Sequence, residues 1–193
     1  MKTMVIAVVV SLAVAIAAFL WWKFRNRQTR QPASNTSGAA ESQPLMEMRE
    51  ELLRGPAAKF GIPPTPSGAW GCLMDMGNSR GFATLVSLAD GTTSLYLSTG
   101  GGYIGGGGHE PVAAATKTFI QMAGSLTTKM TRTAKFPTPQ QGRVRFYVLV
   151  NDGVFTVEAD ENDLGYGRHE LSPLFHAGHE VITQFRMVSE KTH

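Results

Sequence analysis

From Met4 to Trp22 the chain runs for 19 residues with no charge and with Ser11 as its one polar interruption. As a helix rising ~1.5 Å per residue, such a run crosses most of a ~30 Å hydrocarbon core, so it predicts a membrane span. Trp21 and Trp22 close the run where aromatic rings favour the lipid–water interface, and Lys23, Arg25, Arg27 and Arg30 follow directly. Ala15-Ile16-Ala17 imitates the small-residue cleavage pattern of a secretory signal. In a true signal, however, the charged cluster precedes the apolar run, whereas here it lies behind. The expectation is therefore a retained anchor spanning residues 1–27 with its basic flank. Since most basic residues lie C-terminal to the span, the rest of the chain is expected on the cytoplasmic side. In that topology Asn35-Thr36-Ser37 is no glycosylation acceptor.

Beyond the anchor, residues 28–43 are polar and small, too poor in apolar side chains to offset the entropy of ordering, and read as a disordered linker. Residues 44–68 read as a short helix and a connector. Leu45, Met48 and Leu52 recur at helical spacing and Gly55 can end the helix, while Pro56, Pro63, Pro64 and Pro66 forbid helix beyond it. The apolar stripe of that helix could dock on the domain or pair with another copy. Residues 69–190 are expected to form one α+β domain, in keeping with usual domain sizes.

Of the 18 basic residues, Lys2, Lys23, Arg25, Arg27 and Arg30 belong to the anchor region. Setting them aside leaves 13 basic against 15 acidic residues. The remainder lacks the positive field expected of a nucleic-acid binder, so DNA and RNA are not expected partners. Cys72 is the only cysteine, which rules out an intramolecular disulfide, and its apolar surroundings (AWGCLM) suggest a buried structural thiol.

Within the domain, residues 70–76, 82–88 and 94–97 read as strands, the last two joined across Asp90-Gly91. Residues 143–150 and 155–158 form a second pair across Asp152-Gly153. Val112, Ala115, Phe119, Met122, Leu126 and Met130 make one apolar helical face over 111–130. Ser172-Pro173 opens a last helix lined by Leu174, Gly178, Val181, Ile182 and Phe185. The order β-β-β-α-β-β-α predicts a mostly antiparallel five-stranded sheet covered by two helices. That order is loosely similar to profilin-like, longin and roadblock modules. The likeness implies an interaction or sensory platform and rests on element order alone, with no residue motif carried over.

The segment Thr99–Pro111 (TGGGYIGGGGHEP) holds seven glycines between a predicted strand and a predicted helix. Gly100, Gly102 and Gly105 match the spacing of a dinucleotide fingerprint. The preceding strands form a hairpin, however, no Gly-Lys-Ser/Thr follows, and Glu110 would repel a phosphate at the helix start. The preferred reading is a tight connection or partner-binding loop, with Gly100, Gly101, Gly102 and Gly105 flanking an apolar tip at Tyr103 and Ile104. The alternative is a small-ligand or hydrolytic site over residues 100–108, with His109 and Glu110 as its polar groups.

His176 and His179 share a helical face but would need a third ligand such as His169, Glu170 or Glu180 and lack the HExxH pattern, and no metal is expected. Ser98 and Ser125 are conceivable nucleophiles with no base assigned to them. Asp160, Glu161 and Asp163 lack the periodicity of a calcium loop. No cofactor is expected either. The sequence thus points to a membrane-anchored, non-enzymatic interaction or sensory domain that recruits a protein partner or another copy of itself.

Overall fold

The computed structural model describes residues 43–190 apart from 64, 66 and 67. The anchor, with Trp21, Trp22, Lys23, Arg25 and Arg27, and the linker up to residue 42 lie outside the described residues. Among the described residues no helix is long and apolar enough to cross a membrane.

Chain order is α1 (Gln43–Arg54), β1 (Ala69–Asn78), β2 (Gly81–Leu88), β3 (Thr93–Leu97), β4 (Gly102–Ile104), α2 (Glu110–Ser125), β5 (Thr131–Thr133), β6 (Arg143–Val150), β7 (Gly153–Asp160), α3 (Glu161–Gly165) and α4 (Ser172–Glu190). Single 3-10 turns lie at Ala57–Phe60, Gly106–Gly108 and Thr127–Lys129. The strands make one antiparallel sheet in the order β4-β3-β2-β1-β6-β7-β5. The α+β class and antiparallel sheet agree with the sequence reading, and the strand count corrects it: seven, not five. The two extra strands, β4 and β5, span three residues each and sit at opposite edges. Three residues are too few for alternation to register, and β4 is embedded in glycine. The helix expected to reach Met130 ends at Ser125. The chain then makes a 3-10 turn and enters β5, where Thr131 and Thr133 carry the β-branched side chains that strands favour.

Hairpins form at both Asp-Gly sites. In the first, Gly91 takes φ +90° and Leu88 N–H donates to Thr92 O at 2.8 Å. At that corner only glycine adopts the left-handed conformation, which is why the dipeptide marks it.

The sheet is covered on both faces, and β1 at its centre is buried over nearly all of its length. On one face α2 and α4 pack over Cys72, Met74, Leu85, Val144, Phe146 and Val148, contributing Val112, Phe119, Ile120, Leu174, Val181 and Phe185. Gly178 permits the closest approach: a Cβ there would lie 2.7 Å from Met74 Cε and 3.2 Å from Phe119. The opposite face carries Trp70, Leu73, Val86, Leu88, Tyr147 and Leu149, and α1 lies over it through Leu52 and Leu53. Of the stripe read at Leu45, Met48 and Leu52, the last two thus pack in this core of their own chain, and Leu45 is buried. An irregularity in the β1–β6 pairing between Ala69 and Gly71 coincides with Trp70 packing beside Leu73 in this second core, against simple alternation.

Candidate interaction site at the sheet edge

Tyr103 and Ile104, read as the tip of a loop, form the edge strand β4, which pairs with β3 as Leu95↔Tyr103 and Ser94↔Ile104. Leu97 N–H donates to Gly101 O at 3.1 Å. Alternation along an antiparallel ladder then makes Leu95 and Tyr103 the next hydrogen-bonded pair, turning the N–H and C=O groups of Gly102 and Ile104 to the open side. Tyr103 points toward α4, its ring 6.1 Å from that of Phe185. Ile104 follows it on the other face of the strand and is 65% exposed, the most exposed aliphatic side chain among the large hydrophobics of the described residues; Tyr103 is 43% exposed. A shallow open depression of about 230 Å³ adjoins them, lined by Tyr103, Ile104, Gly106, His109, Phe185, Val188 and Ser189.

Three of the seven glycines have packing reasons. A Cβ at Gly102 would lie 2.1 Å from Leu95 O, one at Gly106 2.2 Å from the Phe185 ring, and one at Gly107 2.4 Å from Gly91 O. Gly100, Gly101 and Gly105 take φ of +100°, +83° and +85°. Side chains would thus not fit where Gly102 meets β3, Gly106 meets α4 and Gly107 meets the β2–β3 turn, whereas Gly100, Gly101 and Gly105 face open space and serve the backbone conformation alone. Between that turn and the glycines lies a second open depression, also of about 230 Å³, lined by Asp90 to Thr93 with Gly105, Gly107 and Gly108. Asp90 is occupied there, accepting from the Thr92 N–H and hydroxyl, both at 2.9 Å. His109 stands in extended conformation just before α2 with no side-chain capping bond, and both it and the first-turn Glu110 are exposed.

The other sequence candidates are dispersed and mostly committed to local structure. Ser98 is buried, its hydroxyl accepting from Phe82 N–H at 2.8 Å, and Ser125 donates to Met122 O at 2.8 Å. Asp160 caps α3 by accepting from the N–H groups of Asn162 and Asp163 at 2.9 and 3.2 Å, while Asp163 pairs with Arg168. Cys72 is fully buried and burial pushes its thiol pKa up, far from the low values of reactive cysteines. His176 is exposed. His179 is half-buried, its ring 4.3 Å from that of Phe175 and its Nε2 buried without a hydrogen-bond partner; burial, and then His176, hold it below the ordinary histidine value. Among the described residues no three acidic, histidine or cysteine side chains cluster as a metal site would require.

One grouping was missed from sequence. Arg49 of α1 and Asp75 of β1, both fully buried, form an ion pair. Arg49 Nε and Nη2 donate to Asp75 Oδ2 at 2.9 and 2.7 Å, and Nη1 and Nη2 to the carbonyls of Phe136 and Pro137 at 2.9 and 3.3 Å. The guanidinium carbon lies 5.0 Å from the centre of the Tyr147 ring, and the Tyr147 hydroxyl donates to Pro137 O at 2.6 Å. Thr84 donates to Asp75 Oδ1 at 2.6 Å. Burial pushes the Asp75 carboxyl up, against the pull of Arg49 and Thr84. Burial alone would lower Arg49, yet the Asp75 charge and hydrogen bonds outweigh it and hold the guanidinium above its ordinary value. Each of these bonds to Asp75 is one the carboxylate accepts, the pattern of the ionised form. The sequence did carry a signal: Arg49 stands at the i+4 position of the Leu45–Leu52–Leu53 stripe and Asp75 interrupts the run GCLMDM, opposite charges that each fall on a face where apolar residues belong.

No family model matches this chain, no curated protein is significantly similar to it, and no solved structure matches its fold.

Proposed function

We propose that this chain is a membrane-tethered, non-enzymatic interaction module that captures a protein partner at the β4 edge, with its domain held at the cytoplasmic face by the Met4–Trp22 anchor. The observation that carries the reading is the exposure of Ile104 and Tyr103 on a short edge strand whose outer backbone groups have no partner among the described residues. Burial of such apolar side chains against a partner is favourable by roughly 25 cal/mol per Å² removed from water, and the free N–H and C=O groups of Gly102 and Ile104 supply direction. The pairing of β4 with β3 and the Tyr103–Phe185 ring contact support a pre-placed strand, which reduces the ordering cost of binding.

The test is affinity capture of the detergent-extracted full-length protein, comparing the wild type with Tyr103→Ala/Ile104→Ala. Since both residues are substantially exposed, the double variant should keep its thermal midpoint while losing its stoichiometric partner. An unchanged partner set in a folded variant would reject the β4 edge as the capture surface.

A further inference from the structure

We propose that β4 captures the β4 of a second copy, so that two chains join edge to edge in one continuous antiparallel sheet about a two-fold axis through Tyr103. This rests on the β4 edge being the capture surface and names its partner. Charge distinguishes the two ends of the sheet. At the far end β5 carries the exposed Arg132 in its middle, with Lys129 and Lys135 close on either side, cations of the kind that keep one strand edge from joining another. At the β4 end all three strand residues are exposed, and between Asp90 and Glu110 the chain holds no lysine, arginine, aspartate or glutamate. A two-fold contact sets each residue near its own copy, so a charged edge repels itself and an uncharged one does not. Of the two edges, β4 alone meets the condition for self-pairing.

Register gives a second reason. With Tyr103 opposite Tyr103 of the second copy, Gly102 lies opposite Ile104 and Ile104 opposite Gly102. Both residues with outward N–H and C=O groups then fall in hydrogen-bonded pairs at once. Centring the axis on Gly102 or on Ile104 instead leaves one such pair within the strand. The side chains agree with the same register. Gly102 admits no side chain, since a Cβ there would lie 2.1 Å from Leu95 O, and its neighbour across the β3 ladder is the half-buried Tyr96. The space beside Gly102 takes the Ile104 side chain of the second copy. Tyr103 meets Tyr103 at a position without hydrogen bonds, where cross-strand side chains are closest, and each ring already lies against Phe185.

The edge therefore asks its partner for a glycine opposite Ile104 and an apolar side chain opposite Gly102, and β4 itself supplies both. Three paired residues on each side make a small contact, at the weak end of specific interfaces, so association depends on the Met4–Trp22 anchor holding both copies in one membrane and raising their effective concentration.

Cysteine cross-linking of the full-length chain in isolated membranes tests the pairing, with little background because the native Cys72 is fully buried. Residues facing each other without hydrogen bonds have Cα atoms roughly 4.5 Å apart, within disulfide reach. Under copper–phenanthroline, Tyr103→Cys should therefore link to itself at least about tenfold faster than Leu97→Cys, an exposed position one strand inward, or Arg132→Cys at the opposite edge. Adding Ile104→Lys to Tyr103→Cys should remove that excess, because it puts a like charge from each copy on the joined edge. Equal rates at the three positions, or an excess that survives Ile104→Lys, overturn self-pairing. Should Tyr103→Cys lower the thermal midpoint, two differently tagged wild-type copies decide in its place: co-purification that Ile104→Lys abolishes supports the pairing, and no co-purification, or co-purification unaffected by it, overturns it. If self-pairing is overturned while affinity capture still recovers a different protein that Tyr103→Ala/Ile104→Ala loses, the edge binds a foreign strand and its role as a capture surface stands. If that capture too recovers nothing the double variant loses, both fall.

Discussion

The two faces of the sheet are held by different physics. On the face under α2 and α4, apolar side chains meet apolar side chains, and Gly178 lets the helix backbone come close enough for Met74 to fill the gap. On the face under α1 there is apolar burial too, but at its centre two opposite charges have been taken out of water. The first arrangement is tolerant of direction, because dispersion and the hydrophobic effect are not vectorial. The second is not: the guanidinium, the carboxylate and the two carbonyls of Phe136 and Pro137 admit one placement of the helix. A short helix attached by its side chains alone thereby gains a fixed register that leucines would not give it.

The largest effect should come from breaking the charged face on one side only. Arg49→Ala leaves Asp75 buried and unpaired and should destabilise the protein by about 3–5 kcal/mol in urea unfolding. Arg49→Met combined with Asp75→Leu removes both charges and should recover most of that loss, at the expense of a less sharply placed α1, seen as weaker hydrogen-exchange protection over residues 43–54. Failure of the double variant to recover would mean that the carbonyls of Phe136 and Pro137, and not Asp75, are what Arg49 is needed for. The apolar face, by comparison, has no single compensating partner. Phe119→Ala should cost about 3–5 kcal/mol with no second substitution that repairs it. Gly178→Ala should cost about 1–3 kcal/mol by pushing α4 off Met74, and shortening that methionine by Met74→Val should return part of the loss.

The smallest effect is electrostatic and lies on α4. Since the folded protein holds His179 below the unfolded histidine value of about 6.5, the unfolded chain binds the proton more readily. The contribution of His179 is therefore fully present above pH 6.5 and is lost as the pH falls through the depressed folded-state value. Thermal midpoints measured from pH 7.5 down to 5 should fall less steeply in His179→Phe than in the wild type; equal slopes would remove His179 as a source of acid sensitivity.

How much of this was legible before the structure follows from segment length and from the range of the interactions. The five long strands and both long helices of the domain declared themselves, because 8 residues of RVRFYVLV or 19 residues from Ser172 carry enough periods to separate a sheet face from a helix face. β4 and β5 did not, since a three-residue strand is defined by its neighbour and not by its own pattern. Tyr103 and Ile104 stand out in the sequence as an apolar pair among glycines, yet their place in an edge strand depends on pairing with Leu95 and Ser94. Asp75 breaks an apolar run and Arg49 falls on the apolar face of α1. Nothing local joins two residues 26 positions apart in the chain, and only the fold shows that each breach is the answer to the other.

The central place of β1 also bears on how the chain is made. Its pairing with β2 needs only a tight turn at Asn78–Gly81, whereas Met74 meets Phe146 of β6 across about seventy residues of chain. At roughly 5–20 residues per second of synthesis, the β1–β2–β3 meander, complete at Leu97, waits on the order of 3–11 s with one flank of β1 open before β6, ending at Val150, emerges to close it. During that interval the nascent chain displays one unpaired edge of a largely apolar strand, the kind of edge through which incomplete chains associate.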